Sequence, residues 1–168
     1  YFAYITDEDV ADEIHLMDLE EGSSYEITAK SGQKLRPVDF LEEDFVYGIV
    51  KEKDILPDST GHIVYPMNQL IIRQSDSKEG KTLKKYKKSG YYVTGSEKDG
   101  TTLLLHRVRK DGDGYVNASD DTIRNSSGET NKEVEVAVAE NEMTGSGLSI
   151  IMADIESLTS KKRSSARA

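Results

Sequence analysis

The chain has 168 residues, with 31 Asp or Glu against 22 Lys or Arg, a formal net charge of −9, three His, 36% apolar residues and neither Cys nor Trp. That length suits one domain and is enough to bury a core. Without Cys there is no disulfide framework, thiolate nucleophile or Cys-ligated metal centre, and no apolar run approaches the roughly 18 residues of a membrane-spanning helix.

The chain opens on Tyr1 rather than Met, which reads as a fragment or processed form, and it shows no signal-peptide pattern. The Cys-free composition leans towards an extracytoplasmic or virion setting. Charge is unevenly spread. Residues 1–58 hold 16 acidic and 5 basic side chains, whereas residues 73–110 hold 11 basic and 4 acidic ones. Such a layout either compensates internally or presents a basic segment to an anionic partner.

Thr6 suits a helix cap, and Asp7, Glu8 and Asp9 suit the positive end of a helix dipole. Val10, Ile14 and Met17 recur on one helical face, so a helix is expected over about 7–20. Glu21-Gly22-Ser23-Ser24 ends it.

The rest reads as β. Tyr25, Ile27 and Ala29 alternate with polar residues, Leu35 to Phe40 is extended, and Phe45 to Val50 is rich in aromatic and β-branched residues. Ile63-Val64-Tyr65 and Leu70-Ile71-Ile72 are strands separated at Pro66. Gly90 to Thr94 and Thr101 to Val108 flank a turn carrying Asp99-Gly100, a hairpin signal. Residues 117–132 read as a long polar loop. Val134, Val136 and Val138 alternate as a further strand, and Ile150-Ile151-Met152 open a last element ending near Leu158.

These elements predict a mainly β fold, a sandwich or barrel of antiparallel sheets with one N-terminal helix, with α+β as the alternative. Residues 1–158 form a single domain and residues 159–168 a disordered basic tail. Period-two burial assigns the core to Phe45, Tyr47, Ile49, Ile63, Tyr65, Leu70, Ile72, Val93, Leu103, Leu105, Val134, Val136 and Val138.

Two segments carry candidate chemistry. In Asp111-Gly112-Asp113-Gly114-Tyr115-Val116-Asn117-Ala118-Ser119-Asp120, oxygen-bearing side chains recur around a glycine, as a hard cation requires. The stretch resembles the calcium loop of dockerin and EF-hand repeats. That resemblance implies Asp111, Asp113, Asn117 and Asp120 as Ca²⁺ ligands, but Arg109 stands where the first acidic ligand belongs. The competing reading is a hairpin turn, and otherwise no cofactor is indicated.

The second segment is Lys81-Thr82-Leu83-Lys84-Lys85-Tyr86-Lys87-Lys88. Its five Lys reward phosphate backbones, acidic glycans or anionic lipids. Tyr86, Tyr91 and Tyr92 offer faces for bases or sugars. As a strand it would place Lys84 and Lys88 with Tyr86 on one face, and Lys85 and Lys87 on the other. The competing reading pairs it with the acidic residues of 1–58.

His15, His62 and His106 lack the i, i+4 spacing of a zinc-binding helix, and His15 is expected to pair locally with Asp18. There is no Gly-rich phosphate loop and no nucleophile elbow. Asn117-Ala118-Ser119 and Asn125-Ser126-Ser127 are glycosylation patterns relevant only to a secreted eukaryotic chain. Three functions are therefore weighed. The first is a non-enzymatic interaction or assembly module whose partner is another protein or a larger assembly. The second is an anion-binding module for nucleic acid or an acidic polymer, using residues 81–92. The third is a hydrolase whose carboxylates meet only in the fold.

Overall fold

The computed structural model describes residues 1–58, 60–76 and 80–124, and the backbone of 150–152. The strands are β1 (Phe2–Tyr4), β2 (Glu13–Met17), β3 (Ser24–Thr28), β4 (Gln33–Leu41), β5 (Asp44–Lys51), β6 (Leu56–Pro57), β7 (Ile63–Val64), β8 (Met67–Gln74), β9 (Thr82–Tyr86), β10 (Tyr92–Asp99), β11 (Thr102–Asp111), β12 (Gly114–Arg124) and β13 (Ile150–Met152). Among the described residues there is one 3-10 turn, Glu52–Asp54, which follows β5.

The fold is mainly β, with antiparallel pairing throughout. A small sheet has the order β13-β1-β2-β3, and a seven-stranded sheet runs β12-β11-β10-β8-β5-β4 with β9 also paired to β8. β6 and β7 form a separate two-stranded ribbon.

The helix expected over 7–20 is replaced by β2, and no α-helix occurs among the described residues. Ile14 and Leu16 are both fully buried. They alternate with the half-exposed His15 and Met17, whereas a helix would have turned Leu16 away from the Val10–Ile14–Met17 face. Register with β3 sets Ile14 opposite Ile27 and Leu16 opposite Tyr25, so period-two burial wins over the capping signal. Residues 6–9 form a bend instead.

Burial divides the interior in two. Ala3, Ile5, Ile14, Leu16 and Ile27 of the small sheet's side pack on Leu35, Phe40 and Phe45 of β4 and β5. On the opposite face, Leu41, Val46 and Val50 join Leu70, Ile72, Val93, Leu103, Leu105 and Ile123. β4 and β5 are thus covered on both faces, which is why Phe45 and its neighbour Val46 are both fully buried.

The large sheet curls. Arg36 Nη1 donates to the Thr94 carbonyl at 3.0 Å and Lys98 Nζ to the Phe40 carbonyl at 2.6 Å. These bonds join β4 to β10, although β5 and β8 lie between them in strand order.

Of the expected core, Phe45, Leu70, Ile72, Val93, Leu103 and Leu105 are buried. Tyr47, Ile49 and Tyr65 pack against it half-buried. Ile63 is 53% exposed, because it belongs to the short β6–β7 ribbon rather than to either sheet. Val134, Val136 and Val138 lie outside the described residues, as do the 159–168 tail and Asn125-Ser126-Ser127. Residues 117–124 of the expected polar loop are strand. Their polar side chains lie along β12, which is ordered by its pairing with β11 and anchored by Tyr115 and Ile123 at its two ends.

Candidate functional site

β8 pairs with two strands on the side away from β5. Its first residue, Met67, pairs with Val93 of β10, and its later residues pair with β9. The register sets Leu70 opposite Tyr86, Ile71 opposite Lys85 and Ile72 opposite Lys84. Because Leu70 and Ile72 face the core, Tyr86 and Lys84 share the inward side while Lys85 points the other way. This is the arrangement expected for those three residues. Lys87 and Lys88 fall beyond the strand, in an exposed turn closed by the Tyr91 N–H donating to the Lys88 carbonyl.

No described strand pairs with the outer edge of β9. Thr82, Leu83, Lys84 and Lys85 are all exposed, and Leu83 is 46% accessible. Lysines on such an edge oppose adventitious strand pairing while leaving the edge open to a ligand of opposite charge.

Arg107 of β11 orders the inner flank. Its Nη1 donates to Asp121 Oδ2 at 2.9 Å and to the Tyr86 hydroxyl at 3.1 Å. Its Nε donates to the Ser119 carbonyl at 2.7 Å. The Tyr86 hydroxyl itself donates to Asp121 Oδ2 at 2.7 Å. Burial and the bond to Asp121 raise the Tyr86 hydroxyl above its usual range. The same bond, together with the charges of Arg107 and Lys88, holds the Asp121 carboxyl below its own.

The guanidinium carbon of Arg107 stands 4.5 Å from the centroid of the Tyr91 ring. Tyr91 therefore has one face fixed on a cation and is 38% exposed. Tyr92 instead meets Tyr115 edge-on at 5.6 Å. Of the three tyrosines singled out for stacking, Tyr86 is occupied by the carboxylate network, Tyr92 packs on Tyr115, and Tyr91 presents an exposed ring beside Lys87 and Lys88.

Several acidic side chains of 1–58 are engaged elsewhere. Asp12 lies 2.9 Å and Glu52 3.9 Å from Lys34, Asp9 3.9 Å from Arg36, and Asp54 2.6 Å from Lys110. Among the described residues, no carboxylate lies within 4.0 Å of the ammonium groups of Lys81, Lys84, Lys85, Lys87 or Lys88. The expected compensation of this cluster by the N-terminal third is thus not seen there.

The Asp-Gly-Asp-Gly segment forms a two-residue hairpin turn. Asp111 pairs with Gly114, and Gly112 takes a φ of +58°, as the first central position of a type II′ turn requires. Asp111 and Asp113 sit at its exposed tip, while Asn117 and Asp120 lie along β12, opposite Val108 and beside His106. At about 3.3 Å per residue the strand carries Asp120 some 20 Å from Asp113. The four oxygen-bearing side chains do not converge.

The histidines occupy three settings. His15 Nδ1 faces Glu26 across β2 and β3 at 3.3 Å, not Asp18. His62 belongs to an exposed turn organised by Asp58. His106 lies between Glu97 at 3.3 Å and Asp120 at 3.4 Å. Partial burial opposes its protonation, but the two carboxylates outweigh this and raise its pKa.

The carboxyls of Asp39 and Asp44 are raised chiefly by burial. Asp39 is tied to the Phe40 N–H at 2.7 Å within β4. Neither lines two shallow grooves of about 200 and 340 Å³, at Tyr4, His15 and Glu26 and at Ser31, Lys51 and Lys53. No protein-family model, curated protein or solved structure matches the chain.

Proposed function

We propose that the protein is a non-enzymatic β-rich interaction module that binds a linear polyanion along β9 and the turn that follows it. The curled large sheet, with the small sheet against it, serves as a barrel-like sandwich scaffold for that edge. The observation that carries the reading is the group of five lysines around an open strand edge, with no carboxylate within 4.0 Å of their ammonium groups among the described residues. Tyr91, held from behind by Arg107, adds a flat surface for a base or a sugar ring. The hydrolase reading draws no comparable support, since the raised carboxyls of Asp39 and Asp44 do not line the two grooves described above.

The test is binding of heparin and of single-stranded DNA at low salt. Micromolar binding is expected. If about four lysines contact a single strand, the logarithm of the binding constant should fall with the logarithm of salt at a slope of about −3. Changing Lys84, Lys85, Lys87 and Lys88 together to Gln should abolish binding with little loss of stability, because exposed charges of this kind contribute only about 0–1 kcal/mol each. Tyr91→Ala should weaken DNA binding more than heparin binding. Absence of binding to both probes, or full binding by the quadruple variant, would overturn the reading.

A further inference from the structure

The outer face of the small sheet carries an unassigned cluster. On β2, Ile14 and Leu16 point into the core, so Glu13 and His15 share the opposite face. Glu26 of β3 stands directly across from His15, and Tyr4 of β1 directly across on the other side. One ligand atom each from Glu13, His15 and Glu26 lies within 4.8 Å of the other two. The Tyr4 ring is stacked on the imidazole at 4.8 Å and 17°. That stack fixes the ring while Nδ1 faces Glu26. Beside the cluster is the groove of about 200 Å³, bounded by Tyr4, Ser24 and Glu26 among others.

We propose that Glu13, His15 and Glu26 form a binding site for a divalent transition-metal ion of the zinc type. Zinc takes imidazole nitrogen and carboxylate oxygen at about 2.0–2.2 Å in tetrahedral geometry, which sets neighbouring ligand atoms about 3.4 Å apart. His15 Nδ1 and Glu26 Oε1 are already 3.3 Å apart. The exposed Glu13 side chain closes the third position by a rotamer adjustment. Two carboxylates balance the ion's double charge, and the imidazole favours zinc, nickel or cobalt over calcium and magnesium, which take oxygen ligands. Three protein ligands leave a fourth position on the groove side, for water or for a donor group from a partner. The site is independent of the β9 surface.

The test is calorimetric titration of ZnCl₂ into the full chain after treatment with EDTA and dialysis. One equivalent should bind with a micromolar dissociation constant, and CaCl₂ should give no comparable heat. His15→Asn should abolish binding, Glu26→Gln and Glu13→Gln should each weaken it about tenfold or more, and His62→Asn and His106→Asn should leave it unchanged. The wild-type His15 ring resonances should shift on adding zinc, which tests the assignment even if His15→Asn fails to fold. Absence of stoichiometric binding, binding that persists in folded His15→Asn, or unmoved His15 resonances would overturn the proposal.

Discussion

Lys110 Nζ donates to Asp54 Oδ1 at 2.6 Å, joining the end of β11 to the 3-10 turn after β5 across 56 positions of chain. The Asp54 carboxylate is buried, whereas the lysine is 41% exposed. Next to it, the Tyr115 hydroxyl donates to the Asp54 carbonyl at 2.6 Å, and burial first, with the Asp54 charge second, raises the Tyr115 hydroxyl well above its usual range. Lys110→Met leaves a buried carboxylate without its cation and should cost more than Tyr115→Phe, which removes one neutral hydrogen bond worth about 1 kcal/mol. Urea denaturation of both variants measures the order, and equal costs would show that the ion pair contributes no more than the neutral hydrogen bond.

Gly48 and Met67 give a packing test. A Cβ on Gly48 would collide with the Met67 side chain on the neighbouring strand, and both residues are buried. Gly48→Ala should therefore destabilise by about 1–3 kcal/mol through overpacking. Met67→Ala removes the two nearest clashing atoms and leaves only a tight 3.0 Å approach to the Cβ of residue 67, so Gly48→Ala should cost less in that background. A double-mutant cycle by denaturant melts checks this, and strict additivity would rule out the collision.

His106 links β10, β11 and β12 through Glu97 and Asp120. Its pKa is raised in the fold, so it binds its proton more tightly there than in the unfolded chain. The stabilisation is fully present below the unfolded histidine pKa of about 6.5. It is lost as pH rises through the folded value. The wild type should therefore lose its melting-temperature advantage over His106→Gln as pH rises from about 6.5 through the raised folded value. An advantage that grew with pH would contradict the geometry. The effect should be small, since the ring is 39% exposed.

Arg107 donates to Asp121, Tyr86 and Ser119 at once and backs the Tyr91 ring. Lysine cannot reproduce that planar fork. Arg107→Lys should cost about 1–3 kcal/mol, and should free Tyr91, visible as narrower ring resonances. Asp121 has a lowered pKa, so its contribution is present above the unfolded carboxyl pKa of about 3.9 and lost as pH falls through the folded value. The stability gap between wild type and Asp121→Asn should close towards that acid limit.

Strand-rich segments with strong β-branched and aromatic patterning were legible in the sequence. Phe45 to Val50, Leu103 to Val108 and the Asp99-Gly100 turn all fall in the elements the pattern assigns them. What misled was local chemistry without tertiary context. Thr6-Asp7-Glu8-Asp9 has the composition of a helix start, but the burial demand of Leu16 decides the conformation. Assigning a helix there also hid the Glu13–His15 pair, since residues two apart fall on different helical faces and on one strand face. The alternation Glu13-Ile14-His15-Leu16 was the signal for both. At β9, the charge cluster was legible and its strand faces were largely correct for Lys84, Lys85 and Tyr86. The role of Arg107 was not legible, because it meets Tyr86 and Tyr91 from a strand that adjoins them only through the sheet.

The pairing of β1 with β13 sets Phe2 opposite Met152 and Tyr4 opposite Ile150. The large sheet grows largely from hairpins between successive strands, such as β4–β5, β10–β11 and β11–β12. Short loops close cheaply, so those hairpins can form while the chain is still emerging from the ribosome. The small sheet cannot be completed until residues 150–152 have been made. Its first strand must wait for residues 150–152, with one edge open to pairing with a neighbouring molecule until then. The slowest folding step, and the interval of greatest risk of aggregation, should therefore lie at the closure of β1 by β13.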